Sequence, residues 1–250
     1  MTLPGGYRHS DAELAAIIAE GAGQLLLGVG HGALLDRRQL GDLGDALAQA
    51  WISRVLQRQR PHDAVLSEEA EDDLTRLAAE RVWIIDPLDG TSEFSRGTTH
   101  WAVHVALTRN GIPDVSAVSL PAQGQLFRSD DVPQVSGELT GRIAVSRYGH
   151  SYPSAAVAER LGLRAVHIGS AGAKAMAVVR GDVDAYLHAG GQFEWDNCAP
   201  VGVALAAGLH CSRLDGSEIV YNNPKPYLPD FVICRKEIAE DVLDTLRYFT

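Results

Sequence analysis

Two carboxylates three residues apart, Asp86 and Asp89, lie between the apolar run Trp83-Ile84-Ile85 and the stretch Gly90-Thr91-Ser92-Glu93-Phe94. Pro87 between them fixes the turn. Hard divalent cations such as Mg²⁺ take oxygen ligands in octahedral geometry and share them with substrate phosphates. Asp86, Asp89 and the Leu88 carbonyl could supply such ligands from one rigid turn. Gly90 permits close backbone approach, and Thr91 follows at an expected helix N-terminus, where free N–H groups suit an anion. The bland alternative is an Asp-Pro turn with an Asx cap. Glu68, in Leu66-Ser67-Glu68-Glu69, and Asp196, in Glu194-Trp195-Asp196-Asn197-Cys198-Ala199-Pro200, extend the acidic set and tell against it. Asp196 on its own reads as a helix cap, with Pro200 in the first turn.

These residues need strands and helices to converge. Ser10 or Asp11 can cap a helix with Leu14, Ile17, Ile18, Gly21 and Leu25 on one face. A second helix is expected from Asp42 or Asp45 to Gln59, with Leu47, Trp51, Val55 and Leu56 inward and Pro61 beyond its end. Ala64-Val65-Leu66 reads as a strand delivering Glu68, and Val82–Ile85 as another, stopped by Asp86-Pro87. Trp101 to Thr108, Asp114 to Leu120 and Gln125 to Arg128 suit antiparallel strands, with Asn110-Gly111 and Gln123-Gly124 at the turns. After Ser136-Gly137 the pattern becomes strand–helix alternation. Strands are expected at Ile143–Val145, Val166–Ile168 and Val183–Leu187. The intervening helices are expected near Pro153–Leu161, Gly172–Val179 and Asn197–Ala207. The expected halves are 1–137, α+β and carrying most of the metal-ligand candidates, and 138–250, α/β and carrying Asp196 and the specificity pocket. Asn222 to Pro229 reads as a proline-rich loop.

The 250 residues carry 22 basic and 32 acidic side chains, a formal charge of −10. That balance excludes nucleic-acid polymers and polybasic membrane binding, which need clustered Lys and Arg. Between Ser67 and Ser95 nine acids face only Arg76 and Arg81. Between Arg142 and Gly181 six bases face only Glu159. The two segments are either solvated surfaces or faces of one cleft. Three cysteines without a Cys-x-x-Cys pattern exclude a disulfide framework. The longest apolar stretch is taken as Pro200 to Leu209, too short to span a bilayer. A cytoplasmic protein without membrane insertion is expected.

Asp-x-x-Asp-Gly-Thr is one residue longer than the Asp-x-Asp-Gly-Thr of haloacid-dehalogenase phosphatases, and the spacing decides against them. Three signatures in register, Leu66–Glu69, Trp83–Phe94 and Glu194–Pro200, resemble those of the inositol monophosphatase superfamily. It comprises lithium-sensitive, Mg²⁺-dependent phosphatases, including fructose-1,6-bisphosphatases and 3′(2′),5′-bisphosphate nucleotidases. The resemblance implies a layered αβαβα sandwich holding two to three Mg²⁺. It implies Glu68, Asp86 and the Leu88 carbonyl around one metal, and Asp86, Asp89 and Asp196 around a second. Gly90 and Thr91 match the phosphate cradle. Thr91 is paired in the family with an aspartate that activates the attacking water. Asp45 occupies that position, with Asp42 as competitor, and the threonine that usually precedes it is absent. The implied reaction is in-line attack by metal-activated water, with no phosphoenzyme. Glu69 is read as a solvated or supporting acid, and Glu71, Asp72 and Asp73 as a solvated face.

Within the superfamily, Lys174 after the Gly169-Ser170 loop and Arg147 in Ser146-Arg147 resemble the CysQ-type nucleotidase branch. A second anionic group on the substrate would want such a cation beside free N–H groups. The alternative for Lys174 is an exposed helix lysine. His188 stands near the place where inositol phosphatases carry a ring-binding glutamate. The expected substrate is therefore adenosine 3′,5′-bisphosphate, cut to AMP and phosphate in sulfate assimilation, with Ser170, Lys174, Arg147 and Asp196 touching it and Li⁺ as inhibitor. Inositol-1-phosphate or fructose-1,6-bisphosphate is the alternative within the family. A non-catalytic metal- or nucleotide-binding regulator is the alternative outside it. The family includes monomers and dimers, so a homodimer stays open.

Overall fold

The computed structural model describes residues 8–30, 34–147 and 152–249. The chain begins with helices α1 (Asp11–Val29) and α2 (Arg37–Gln59). Strands β1 (Ala64–Ser67) and β2 (Arg81–Asp89) follow, then the short helix α3 (Thr91–Ser95) and strands β3 (Ala102–Arg109), β4 (Ile112–Leu120) and β5 (Gln125–Arg128). The second half continues with β6 (Arg142–Val145), α4 (Tyr152–Leu161), β7 (Arg164–His167), α5 (Ala171–Val179), β8 (Ala185–Phe193) and α6 (Glu194–Ala206). It closes with β9 (His210–Ser212), β10 (Tyr227–Cys234) and α7 (Ala239–Leu246).

Two five-stranded mixed sheets result, ordered β1-β2-β3-β4-β5 and β7-β6-β8-β10-β9. β1 runs parallel to β2, and the other pairs of that sheet are antiparallel. In the second sheet β7, β6 and β8 are parallel, whereas β10 pairs antiparallel with β8 and β9. Helices α1 and α2 cover the outer face of the first sheet, α5 and α6 lie between the sheets, and α4 and α7 cover the far face. The layers read αβαβα.

β2 shows why both faces of a strand can be apolar here. Trp83 and Ile85 enter the core under α1 and α2, while Val82 and Ile84 enter the central core against α5 and α6. Asp86 continues the second set, so its carboxylate emerges between the sheets. β2 does not stop at Asp86-Pro87; the ladder to β3 absorbs the proline as a register shift between Asp86 and Asp89.

Several expectations need correction. α2 starts at Arg37, with Asp36 and Gln39 forming its capping box, not at Asp42 or Asp45. Gly41 and Gly44, inside the helix, serve close packing: a Cβ on Gly41 would lie 2.7 Å from Thr91 Cγ2, and one on Gly44 2.9 Å from Phe94. On α1, Leu14, Ile18, Ala22 and Leu26 are buried whereas Ile17 is 41% exposed. The same helix, packed on β3 and β4, is longer than the 200–209 stretch and reaches a mean hydropathy of 1.4 over 18 residues. α6 starts at Glu194, which places Pro200 in its interior, where it donates nothing to the Asp196 carbonyl. The segment from Asn222 to Pro229 is a loop only as far as Pro226; Pro229 is tolerated inside β10 because the register shifts between Leu228 and Asp230.

Candidate active site

Three elements deliver the acidic cluster. β2 ends in Asp86 and Asp89, β1 ends one residue before Glu68, and the first turn of α6 carries Asp196. One carboxylate oxygen from each of Asp86, Asp89 and Asp196 lies within 4.8 Å of the others. Burial, together with the like charges of Asp89, Glu68 and Asp196, drives the Asp86 carboxyl well above the ordinary carboxylate range. Burial and Asp89 lift Asp196 to about 6. Desolvation and the charges of Asp196, Glu69 and Asp89 lift Glu68 to about 7.

Asp89 behaves oppositely. Burial alone would raise it, but His104 and the amides of Gly172 and Ala171 hold it at about 2. Its Oδ1 accepts from Ala171 N at 3.0 Å and its Oδ2 from Gly172 N at 2.6 Å, both at the N-terminus of α5. Asp86 Oδ1 accepts from Leu88 N at 3.0 Å. A buried donor set of carboxylate oxygens under mutual repulsion fits a hard divalent metal ion.

Asp196 is both cap and cluster member: its Oδ2 accepts from Phe193 N at 2.7 Å, which ties the helix start to the acidic group. Gly90 adopts φ +88°, and a Cβ on it would meet Ser170 Cβ at 2.8 Å. The first helical bond of α3 runs from Glu93 N to Gly90 O at 2.8 Å, so the N–H groups of Gly90 and Thr91 precede it. Thr91 Oγ1 lies 3.3 Å from the Leu88 carbonyl. Asp45 is buried, its Oδ1 without a hydrogen-bond partner among the described residues. Burial, then Glu69 and Glu68, raise its carboxyl to about 7 against a hydrogen bond with the Thr91 side chain. Asp42 is exposed and faces Arg38 at 3.9 Å.

On the second half, Ser170 caps α5 at φ +48°, its hydroxyl accepting from Ala173 N at 3.1 Å. Lys174 is not an exposed helix lysine: it is buried, its Nζ donates to the Ser170 carbonyl, and it lies 5.2 Å from the centre of the Tyr186 ring. Burial lowers its ammonium to about 8 despite Asp89, Glu93 and Asp196. Arg147 bridges back to the first half, with Nη2 3.1 Å from His100 Nδ1 and Nη1 3.7 Å from Glu93. The remaining bases of that segment do not line the cluster. Arg142 and Arg164 begin β6 and β7, at the opposite strand ends, and Arg180 pairs with Asp182 at 2.7 Å. His188 lies 3.0 Å from the Gly191 carbonyl and stacks on Phe231.

Two supporting features escaped sequence reasoning. His104 pairs with Asp86 across the β2–β3 ladder and has no solvent exposure. Strand alternation in Ala102–Ala106 could have placed it on the Asp86 face. The second is a chain of contacts that pins α6. Glu194 accepts from Asn222 N at 2.7 Å and from Asn223 N at 2.9 Å, and Asn222 Oδ1 accepts from Arg76 at 2.7 Å. Arg76 is buried and pairs with Asp72 at 2.8 Å, so Asp72 is not merely a solvated acid. These partners are 146 and 147 residues apart from Arg76, beyond any local pattern.

The sequence profile of the inositol monophosphatase family matches residues 18–247. A 3′-phosphoadenosine 5′-phosphate phosphatase of Mycobacterium leprae is 54% identical over 95% of this chain and 94% of its own length. The 3′(2′),5′-bisphosphate nucleotidase CysQ of Escherichia coli is 29% identical, covering 74% of this chain and 80% of that protein. The solved structure of CysQ from Bacteroides thetaiotaomicron superimposes with a TM-score of 0.78 at 24% identity, over 92% of this chain and 98% of that one.

Proposed function

The chain belongs to the inositol monophosphatase family, and within it we propose that it removes the 3′-phosphate of adenosine 3′,5′-bisphosphate to give AMP and phosphate. The observation that carries the chemistry is the convergence of Asp86, Asp89 and Asp196 beside Thr91. The substrate rests on relatives named for it at 53–54% identity.

Glu68, Asp86, Asp89, Asp196 and the Leu88 carbonyl would hold two to three Mg²⁺. Bound there, the metal supplies Lewis acidity toward the phosphoryl oxygens and lowers the pKa of the attacking water. The N–H groups of Gly90 and Thr91 orient the scissile phosphate, and the φ of Gly90 brings that backbone against Ser170. Thr91 and Asp45 take up the proton of the attacking water. A carboxyl raised to about 7 is matched to that task near neutral pH. The second phosphate lies toward the Ser170–Lys174 turn and Arg147, whose ammonium and guanidinium supply the cationic groups on that side. Asp196 is shared between metal and substrate.

The test is phosphate release with Mg²⁺, measured side by side on adenosine 3′,5′-bisphosphate, inositol-1-phosphate and fructose-1,6-bisphosphate. The expected outcome is the highest kcat/KM on the nucleotide. A higher value for inositol-1-phosphate would replace the substrate. No release from any of the three would leave a metal- or nucleotide-binding regulator. Release that survives Asp89→Asn would refute the site.

A further inference from the structure

His104 reaches three parts of the acidic cluster, Asp86, Asp89 and the backbone before Asp196. Its ring lies on β3 with no solvent exposure. Nδ1 is 3.2 Å from the Trp195 carbonyl, one residue before Asp196. Nε2 is 3.3 Å from Asp89 Oδ2, and Nδ1 is 3.9 Å from Asp86 Oδ2. A carbonyl can only accept, so Nδ1 carries a proton directed at α6. Nε2 makes no hydrogen bond of good geometry with any described residue, and it is aimed at the carboxylate.

The space around the imidazole is tight. A Cβ on Gly172 would lie 2.2 Å from Nε2, so the α5 N-terminus can approach Asp89 only because residue 172 has no side chain. Asp89 is thus clamped from two sides, by the amides of Ala171 and Gly172 and by the ring of His104. The same ring reaches the backbone that delivers Asp196.

We propose that His104 is a positioning residue, a buried brace that sets the spacing of Asp89 and Asp196 relative to Asp86 and so sets the affinity of the cluster for divalent metal. The inference rests on the metal reading given above. Metal sites depend on such supporting contacts, because a carboxylate that must be reoriented on binding loses affinity to that reorganisation.

The experiment titrates Mn²⁺ into the metal-stripped full chain by calorimetry, without substrate, for the wild type and for His104→Leu, His104→Asn and His104→Gln. Asn retains a polar atom near the Nδ1 position and Gln one near Nε2, so each loses one arm of the brace. The expected order of affinity is wild type, then Asn and Gln, then Leu, with Leu weaker by about 10–100-fold. Metal-free melting temperatures of all variants are measured alongside those of Ile233→Ala, a cavity in the same central core on β10. That control separates bracing from general destabilisation: it should lower the melting temperature and leave Mn²⁺ affinity unchanged. Equal affinity in all three His104 variants, or an equal loss in Ile233→Ala, would overturn the inference. A wild type that binds no Mn²⁺ would instead overturn the metal reading beneath it.

Discussion

Glu194→Ala tests whether the start of α6 is held from a distance. The carboxylate has no solvent exposure and accepts three hydrogen bonds, from Asn222 N, Asn223 N and Asn223 Nδ2, at 2.7, 2.9 and 2.8 Å. Each donor left without a partner costs about 1–3 kcal/mol. Part of that loss is offset, because burial outweighs those bonds and raises the Glu194 carboxyl above its ordinary value. The net cost is about 2–4 kcal/mol, which for a chain of this size is about 4–16 °C in Tm. A raised folded pKa has a definite sign: the stabilising contribution is full below the ordinary carboxylate range and declines as pH rises through the folded value. The gap between wild type and variant is therefore wider at pH 5 than at pH 8. Asp196 follows two residues later, so the variant should need more Mg²⁺ for half-maximal activity while recovering kcat at saturation. Thermal unfolding across pH and Mg²⁺ titration of phosphate release check both parts. An unchanged Tm, or a gap that widens toward pH 8, would refute the reasoning.

Other outcomes follow from the same geometry. Asp11 lies 2.7 Å from the buried Arg60 and 3.0 Å from Arg81; burial raises its carboxyl, but the two guanidinium groups bring it below the ordinary value. Asp11→Asn should cost about 1–3 kcal/mol at pH 7, a penalty that vanishes as pH falls through the folded pKa and that urea unfolding at pH 7 and pH 3 will resolve. Lys174→Met should raise KM for the bisphosphate nucleotide more than for inositol-1-phosphate. In the wild type that KM should rise above about pH 8 as the buried ammonium loses its proton; a pH-independent KM would remove Lys174 from the pocket. Chelation should abolish phosphate release and lower Tm, Mg²⁺ should restore both, and Li⁺ should inhibit, as a malachite-green assay and a thermal melt will report.

Much of the fold was legible because strand and helix periods differ. Ala64–Leu66, Gly172–Val179 and Gln125–Arg128 were placed within a residue or two, and the acidic residues were found as short linear runs. Where local chemistry had two uses, the reading failed. Gly41 and Gly44 look like helix breakers, yet they let α2 press against Thr91 and Phe94. Pro229 looks like a loop residue, yet a register shift admits it to β10. The basic segment looked like a single face, but strands β6 and β7 carry Arg142 and Arg164 at one end and deliver Arg147 and Ser170 at the other. Net charge along a sequence cannot reveal which end of a strand faces a cleft.

The supporting contacts were invisible for a different reason. Arg76, Asn222 and Glu194 meet only because α6 spans the space between the sheets, and His104 meets Trp195 because β3 turns its Asp86-side face toward α6. None of these pairs lies within one element, so neither period nor motif could join them. They nonetheless bear on the site more directly than its linear runs suggest. The cluster gathers negative charge that Asp86, Glu68 and Asp196 resist, each raised in pKa, and only Asp89 is held fully ionised by its surroundings. Carboxylates that repel one another will drift apart unless backbone and buried side chains confine them. Confinement here comes from the amides of α5, the Glu194–Asn222 link and the ring of His104. The affinity of the site for a cation is therefore a property of the junction between the two sheets, and it should respond to changes there even when every acidic residue is retained.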